Sequence, residues 1–378
     1  MIREIRIEGY RSLRSAVMAM GRLSVVTGEN GVGKTNLYRG LELLRAAAVG
    51  DLARRLAQEG GMASALWAGA PPLDPDDPEA PRARRDARLK LGVRLDSLEY
   101  EIMLGLPGPT DPALALDPVV KEERVSIHVE GRRAVMLERK GPHIAAREQD
   151  GAWRSYKGAL LMAETALATL RDPHQFPELH ILQKRLTDWR FYHGFRSDAD
   201  SPLRQPQPAV CAPTLDSDGV NLAAALATAI HLKEGPQGIE RSEVGRAVEE
   251  AFPGSRLEFV EAAGRYLVAM RMPGFPRAFS APELSDGVLR YLALVGALCA
   301  YRRPEFIALN EPEASLHPGL IEPLGRLILR ASAETQILVV SHSDALARIL
   351  EREGGARVAR LEKLRGETLM PSGPESEG

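Results

Sequence analysis

The chain has few cysteines and no long hydrophobic run, and each shortage excludes a class of protein. Its only cysteines, Cys211 and Cys299, lie far apart and form no CxxC pair. They therefore indicate neither a disulfide framework nor a zinc site, and they suit a reducing cytoplasm. The longest apolar run, residues 291–301, is much shorter than the roughly 20 residues that a membrane span needs. The N-terminal segment MIREIRIEGY also lacks the apolar centre of a signal peptide. We therefore expect a cytoplasmic protein with no membrane partner.

An excess of positive charge is also missing, which excludes a global attraction to nucleic acid. The formal net charge is −2 and the pI is about 6.5. Two local basic runs lie at residues 82–90 and 132–140. Such runs are more often solvated faces than binding sites, so they leave DNA as one candidate partner. The 44% hydrophobic content allows 378 residues to bury a large core in one or two lobes.

Two short strands are predicted at the start of the chain, around Ile2–Glu8 and Leu23–Thr27. The second leads directly into a glycine-rich motif, GENGVGKT. It matches G-x-x-x-x-G-K-[ST], and a predicted amphipathic helix runs from Thr35 to about Val49. This strand–loop–helix context is what a P-loop requires, because loop amides and a helix N-terminus surround phosphate oxygens. In such a loop Lys34 neutralises the β- and γ-phosphates of ATP and Thr35 binds Mg²⁺. The predicted nucleotide-binding residues here are Gly28, Asn30, Gly31, Gly33, Lys34, Thr35 and Asn36.

Phosphoryl transfer also needs a further metal ligand and a group that orients the attacking water. The run EFIALNEPE predicts a buried strand over residues 305–310, with polar residues at its carboxyl end, where open α/β sheets bind ligands. Glu311 is the candidate base; without a P-loop it would be read as a surface glutamate. Asn310 stands where nucleotide hydrolases usually have Asp, so Mg²⁺ keeps an oxygen ligand but loses a charge. The loss is expected to cost about 1–2 kcal/mol, roughly tenfold in affinity or rate, which predicts slow turnover.

The rest of the chain divides by its periodicity. Alternating stretches over residues 88–147 predict an antiparallel β layer. Residues 156–192 and 219–251 are helical in pattern, and a proline-rich loop separates them. Further strands follow over 256–281, and Ser285 is expected to cap a helix. Strand, helix, strand and helix then alternate over residues 305–353, which is typical of an α/β protein.

Four motifs in this order resemble those of the ABC-type ATPases of the SMC, RecF and OLD group: GENGVGKT, LSDGVLR, LNEPEASLHP and VVSHS. Three longer stretches, WRFYHGFRSDADSPLRQP, LDSDGVNLAAAL and AFPGSRLEF, look like one bacterial group of predicted ATPases of this class, so the resemblance covers most of the chain. It implies a head-to-head dimer in which Ser285 and Gly287 contact the γ-phosphate of ATP bound by the other copy. It also implies that residues 314–318 form the D-loop and that His342 is the switch histidine. Taken alone, His342 would more often be a strand-end histidine with a local hydrogen bond.

The sequence departs from the pattern of this group in two respects. SMC relatives insert long coiled coils between the P-loop and the signature motif, and OLD-type nucleases add a Toprim domain after the switch histidine. Neither is expected here, because no sustained heptad run is present and little chain follows His342.

The predicted fold is α/β: a P-loop ABC-type ATPase head with a mixed β-sheet core, an antiparallel β layer and a helical subdomain. We expect an N-terminal ATPase lobe over 1–150, a helical subdomain with the proline-rich loop over 151–255, and a C-terminal ATPase lobe over 256–378.

Two functions stay open. The first is an Mg²⁺-dependent ATPase with ATP-driven dimerisation, acting on DNA or on an effector protein in DNA repair or phage defence; the process follows from the resemblance alone. The second is an ATP-gated binding module with negligible hydrolysis that recruits or restrains a partner. Asn310 favours the second and Glu311 opposes it. Arg11 and Ser12, after the first strand, either approach the nucleotide or form a plain surface turn.

Overall fold

The computed structural model describes residues 1–69, 87–106, 116–156, 160–234, 240 and 242–370. The chain forms two compact units. The first comprises Met1–Gly21, Gly28–Trp189 and Ala359–Gly378, and the second comprises Arg22–Thr27 and Arg190–Val358. Each unit therefore combines segments that are distant in sequence. The division into segments 1–150, 151–255 and 256–378 stays a prediction.

The described strands and helices are numbered in chain order. The strands are β1 (Ile2–Tyr10), β2 (Leu13–Ala19), β3 (Leu23–Thr27), β4 (Arg88–Leu95), β5 (Leu98–Gly105), β6 (Val119–Val129), β7 (Arg132–Lys140), β8 (His143–Arg147), β9 (Trp153–Tyr156), β10 (Arg190–His193), β11 (Gln207–Pro208), β12 (Arg256–Ala262), β13 (Arg265–Arg271), β14 (Ala278–Ser280), β15 (Phe306–Asn310), β16 (Gln336–Val340), β17 (Arg357–Arg360), β18 (Glu362–Leu364) and β19 (Glu367–Leu369). The α-helices are α1 (Lys34–Val49), α2 (Leu52–Gln58), α3 (Met62–Ala65), α4 (Ala166–Thr169), α5 (Pro177–Asp188), α6 (Leu222–Glu234), α7 (Glu243–Ala251), α8 (Asp286–Leu298), α9 (Ile321–Ser332) and α10 (Asp344–Gly354). In the described residues, 3₁₀ turns cover Pro202–Arg204, Ala281–Glu283 and Pro318–Leu320.

An eight-stranded antiparallel sheet forms the first unit, in the order β2-β1-β4-β5-β6-β7-β8-β9. Ile5 and Ile7 of β1 are fully buried and alternate with polar residues, because successive side chains of a strand point to opposite faces. Helix α1 packs on β1 and β4. Its close approach depends on Gly40, where an added Cβ would lie 2.3 Å from Ile7 Cδ1. The predicted antiparallel β layer is confirmed.

The second unit is organised around a five-stranded sheet in the order β10-β15-β16-β3-β17. The pairs β10–β15, β15–β16 and β16–β3 are parallel. Every residue of β3, β15 and β16 is buried, as expected of parallel strands that are covered on both faces. A smaller antiparallel sheet of β11, β13, β12 and β14 shares the hydrophobic core of this unit with helices α6 to α10.

The predicted α/β class, the helices before and after the signature motif and the terminal strand–helix alternation are confirmed. Within residues 156–192 the helical prediction is confirmed over Ala166–Thr169 and Pro177–Asp188. It is wrong for Tyr156, which ends β9, for residues 160–165 and 170–176, which are turns or loops, and at the end of the range. Arg190–His193 is a strand, β10, because it pairs in parallel with β15. Its aromatic residues suit a sheet, and the ring of Phe191 packs edge-on against Phe306 with centroids 6.2 Å apart. Within the described ranges, no helix is long and apolar enough to cross a membrane.

Candidate functional site

Polar residues leave the parallel sheet of the second unit at the carboxyl ends of neighbouring strands. Asn310, the last residue of β15, is opposite Val340 of β16, and Val340 is opposite Val26 of β3. The main-chain N–H of Glu311 donates to the carbonyl of Val340 over 2.7 Å. Glu311 and the residues after Val340 therefore emerge from adjacent strands, at the sheet edge where α/β proteins bind ligands.

The predicted P-loop follows β3 directly in the chain and belongs to the first unit. Gly28, Gly31 and Gly33 have φ values of 147°, 77° and 109°, a backbone region that glycine enters without the steric cost of a Cβ. Lys34 is only 5% exposed, and its Nζ donates to the carbonyls of Gly28 and Glu29, the latter over 3.0 Å. The loop thus curls around its own lysine, which is the shape that a phosphate-binding loop requires.

Three further predicted residues flank this loop. Thr35 lies in the first turn of α1, where main-chain N–H groups have no helical acceptor. Asn30 is exposed, whereas the Nδ2 of Asn36 donates to Ser12 Oγ over 2.8 Å. Ser12 is therefore attached to the P-loop helix. Arg11 instead binds the Glu59 carboxylate over 2.7 Å.

The hairpin of β18 and β19 braces the P-loop within the first unit. Thr368 is 1% exposed, and its Oγ1 donates to the carbonyl of Val32 over 2.6 Å. The same Oγ1 lies 2.6 Å from Ser12 Oγ, and Lys363 Nζ donates to the carbonyl of Gly31 over 3.2 Å. Sequence reasoning missed this support, because no local pattern connects residue 368 with residue 32.

Asn310 is paired with a histidine from the neighbouring strand. His193 of β10 is opposite Asn310 in the sheet register, and its Nδ1 lies 2.6 Å from Asn310 Nδ2. Asn310 is 3% exposed, and among the described residues no donor reaches its Oδ1. An amide that donates to a neutral imidazole leaves its carbonyl oxygen for another partner, whereas an aspartate here would require a proton on Nδ1. The buried, unpaired oxygen fits an oxygen-seeking cation such as Mg²⁺.

Glu311 follows Asn310 in a left-handed backbone conformation, with φ of 49°. This conformation is uncommon outside glycine and costs on the order of 1–3 kcal/mol, so the surrounding structure must hold it. The hydrogen bond from Glu311 N to Val340 and another from Ala314 N to the Glu311 carbonyl, 2.9 Å long, fix the turn. Ser315 in the predicted D-loop is also left-handed, with φ of 62°.

The segment after β16 is held by Glu313, a residue that sequence reasoning did not select. Its Oε1 accepts hydrogen bonds from Ser341 Oγ at 2.6 Å, from His342 N at 2.9 Å and from Ser343 N at 3.1 Å. His342 Nδ1 is 3.3 Å from the same oxygen, and the imidazole is 46% exposed. The only hint in the sequence was that Glu313 is the second glutamate of the NEPE run. In the structure Glu313 is buried, whereas the side chain of His342 is open to solvent.

The signature segment begins helix α8 in the second unit. Ser285 is exposed and caps the helix, as predicted, with its Oγ accepting from Val288 N over 3.5 Å. A Cβ added to Gly287 would meet the carbonyl of Ser315 at 3.4 Å, which is ordinary contact. The signature and D-loop segments therefore touch within the second unit.

The basic run over residues 132–140 is largely neutralised by carboxylates. Arg139 is buried 4.0 Å from the carboxylate of Glu123, and Arg133 binds Glu101 over 2.7 Å. Lys140 lies 3.3 Å from a carboxylate oxygen of Glu138. These pairs favour a solvated face over a phosphate-binding surface. Most of the other basic run, residues 82–86, lies outside the described residues.

The predicted residues thus fall into two groups, with the P-loop residues in the first unit and Ser285, Gly287, Asn310, Glu311 and His342 in the second. Comparison with known proteins gives a match over the second group. Residues 167–348 fit the family model described as "AAA domain, putative AbiEii toxin, Type IV TA system", which begins after the P-loop. A search of the curated proteins gives no significant match.

Solved structures match nearly the whole chain. An SmcHead bound to the C-winged helix domain of ScpA is 13% identical with a TM-score of 0.52, and the match covers 98% of this chain and 97% of that one. An Smc head domain with an extended coiled coil, bound to the C-terminal domain of ScpA and derived from Pyrococcus furiosus, is 12% identical with a TM-score of 0.54, covering 98% and 95%. Identities this low identify the fold alone.

Proposed function

The chain has the fold of an ABC- and SMC-type ATPase head, and on that premise we propose that it binds ATP with Mg²⁺ and hydrolyses it slowly as a head-to-head dimer. The observation that carries the proposal is the P-loop itself. Its three left-handed glycines enclose Lys34, whose ammonium group donates to the loop carbonyls of Gly28 and Glu29. These are bonds that phosphate oxygens can replace.

Each predicted residue has a distinct role in this reaction. Lys34 and the amides at the start of α1 bind the β- and γ-phosphates. Glu311 accepts a proton from water as the water oxygen attacks the γ-phosphorus, and the bond to the β-phosphate oxygen breaks to release ADP. His342, open to solvent and fixed at its main chain by Glu313, contacts the γ-phosphate.

Thr35 and Asn310 would hold Mg²⁺, which neutralises charge on the phosphates when it is bound. The unpaired Oδ1 of Asn310 supports this assignment. Because an amide oxygen has no full charge, we propose that metal binding is weaker than with aspartate and that turnover is slow.

The position of the signature segment supports the proposed dimerisation. Ser285 is exposed at the N-terminus of α8, and the D-loop residues Ser315 and His317 are exposed as well. We propose that this surface meets ATP bound by a second copy, so that ATP closes the dimer and its cleavage removes the contacts that favoured closure.

We propose an effector protein as the partner, in phage defence or DNA repair, because the basic run on the eight-stranded sheet is paired with carboxylates. The description of the matched family model as a "putative AbiEii toxin, Type IV TA system" supports a protein partner. DNA binding would appear as ATP-dependent binding that weakens steeply with salt.

A second candidate is an ATP-gated binding module that hydrolyses almost no ATP. Asn310 favours it, since an amide does not supply the full negative charge that an aspartate would offer to Mg²⁺. The two candidates differ in one respect only, which is whether Glu311 removes a proton from water.

The test is steady-state ATP turnover with Mg²⁺ for the wild type, Asn310→Asp and Glu311→Gln, with light scattering to follow dimerisation. Glu322→Gln is the control, because Glu322 makes only an exposed helical ion pair with Arg326. We expect slow wild-type turnover, an increase of up to about tenfold for Asn310→Asp and loss of turnover for Glu311→Gln.

Equal inactivity of all the proteins, with ATP-driven dimerisation retained, would instead establish the binding module. Absence of both turnover and ATP binding would reject the two candidates together.

A further inference from the structure

Arg204 connects the loop before β11 to the segment that precedes the signature helix. It ends the 3₁₀ turn Pro202–Arg204, and its side chain is 11% exposed. All three nitrogens of its guanidinium are engaged. Nε donates to the carbonyl of Ser197 over 2.9 Å, Nη1 lies 3.0, 3.1 and 2.8 Å from the carbonyls of Ala281, Pro282 and Leu284, and Nη2 binds Asp286 Oδ1 over 2.7 Å.

Apart from the Ser197 carbonyl, these acceptors lie in or beside one irregular stretch of backbone. The 3₁₀ turn Ala281–Glu283 is followed by Leu284 in an extended conformation, and α8 starts two residues later. Such a stretch has no regular ladder of its own, so its path depends on side-chain donors. The guanidinium reaches acceptors in three places with three separate nitrogens: Ser197 with Nε, the three carbonyls with Nη1 and Asp286 with Nη2. A lysine ammonium has a single nitrogen and cannot reach all three places at once.

A second arginine extends the same connection to the D-loop. Arg290 on α8 donates from Nε to Ser197 Oγ over 3.1 Å and from Nη1 to the carbonyl of Ala314 over 3.4 Å. The carbonyl of Ser197 therefore accepts a hydrogen bond from Arg204, and its hydroxyl accepts one from Arg290. The loop around Ser197 links the signature segment, its helix and the D-loop within the second unit.

We propose that Arg204 is a positioning residue for the signature motif, which it holds in the conformation that acts on ATP bound by a second copy of the chain. This inference rests on the proposed function, since it assigns Arg204 to the composite site of the dimer. Arg204 touches no predicted nucleotide-binding residue of the P-loop in the described contacts. Its loss should therefore leave ATP binding to the monomer unchanged and impair the steps that need the dimer.

The first experiment compares Arg204→Met and Arg204→Lys with the wild type. We expect ATP affinity of the monomer to change by less than about twofold, while turnover and ATP-driven dimerisation fall by roughly 10- to 100-fold, the loss typical of a displaced catalytic group. Lysine should recover little, because its single nitrogen cannot reach Ser197, the carbonyls of residues 281–284 and Asp286 together. Arg22→Met is the matched control: Arg22 also donates to two main-chain carbonyls of the second unit, those of Ser332 and Ala333 at the end of α9. It should keep wild-type turnover, and thermal melting confirms that each variant folds.

The second experiment mixes variants, so that defects of opposite copies can complement each other. Lys34→Ala destroys the P-loop of its own copy but keeps an intact signature. A mixed dimer of Lys34→Ala and Arg204→Met contains one site with both parts intact. After random exchange about half of the dimers are mixed, so turnover should recover to about a quarter of the wild type, well above that of either variant alone. Lys34→Ala with Ser285→Arg, which disables the signature directly, is the reference mixture.

The possible results distinguish a wrong role for Arg204 from a wrong proposal of a dimeric ATPase. Recovery in both mixtures supports the proposal, because the defect of Arg204→Met then lies in the signature that is offered to the other copy. Recovery only in the reference mixture overturns the role of Arg204 and keeps the dimeric ATPase. No recovery in either mixture, with an active wild type, rejects the composite site and the role of Arg204 with it. Wild-type turnover of Arg204→Met alone also overturns the proposal.

Discussion

Replacing Thr368 with valine would remove one hydroxyl from the support of the P-loop and keep the shape of the side chain. Thr368 Oγ1 donates to the Val32 carbonyl and pairs with Ser12 Oγ, and the residue is 1% exposed. Valine would leave the Val32 carbonyl without this donor. Ser12 would keep its bond from Asn36 Nδ2. The perturbation therefore falls mainly on one carbonyl of the phosphate-binding loop.

The expected magnitude follows from the cost of an unsatisfied buried polar group. That cost is about 1–3 kcal/mol. Because Ser12 keeps its bond from Asn36, only the Val32 carbonyl loses its partner, and Thr368→Val should lower the free energy of unfolding by about 1–2 kcal/mol. If the same energy separates the binding-competent loop from its alternatives, ATP affinity falls by up to about tenfold.

The assay is ATP binding by fluorescence titration, with thermal unfolding of the same samples. Thr335→Val is the matched control, because Thr335 is 2% exposed and its hydroxyl also donates to a main-chain carbonyl, that of Pro304 in the second unit. Both variants should melt at lower temperature, and only Thr368→Val should bind ATP more weakly. Equal ATP affinity in the two variants would refute the idea that the hairpin shapes the P-loop.

Two further changes test the carboxyl edge of the parallel sheet. Glu313→Ala removes the acceptor of three hydrogen bonds around His342. Turnover should therefore fall by roughly 10- to 100-fold with little change in ATP affinity, and unchanged single-turnover rates would contradict this. His193→Ala removes the partner of the Asn310 amide, which is then free to rotate. The Mg²⁺ concentration that half-saturates nucleotide binding, measured by fluorescence of a labelled ATP, should therefore rise by about tenfold. An unchanged Mg²⁺ requirement would show that Asn310 needs no support from His193.

Local pattern was sufficient for the elements whose chemistry is local. The P-loop was predictable because glycines at fixed spacing permit positive φ values and a helix must begin at Lys34. The buried strands β15 and β16 were visible as continuous apolar runs, since parallel strands covered on both faces need no polar alternation. The capping role of Ser285 followed from residue type and position.

Local pattern failed for β10. The helical periodicity of residues 177–188 continued into an aromatic run that fits a helix or a strand, and only pairing with β15 decided between them. The same pairing brings His193 to Asn310, and the sequence held no sign of it.

The sequence by itself determined which residues we propose for the chemistry: a lysine in a glycine loop, an amide and a glutamate at a strand end, and a serine at the start of a helix. The tertiary structure decided what holds each of them in place. Asn310 and His193 are 117 positions apart, Val32 and Thr368 are 336 apart, and Arg204 reaches Asp286 over 82 positions. Periodicity and motif spacing record only neighbours along the chain, whereas these contacts depend on strand register and loop packing, which the whole fold sets.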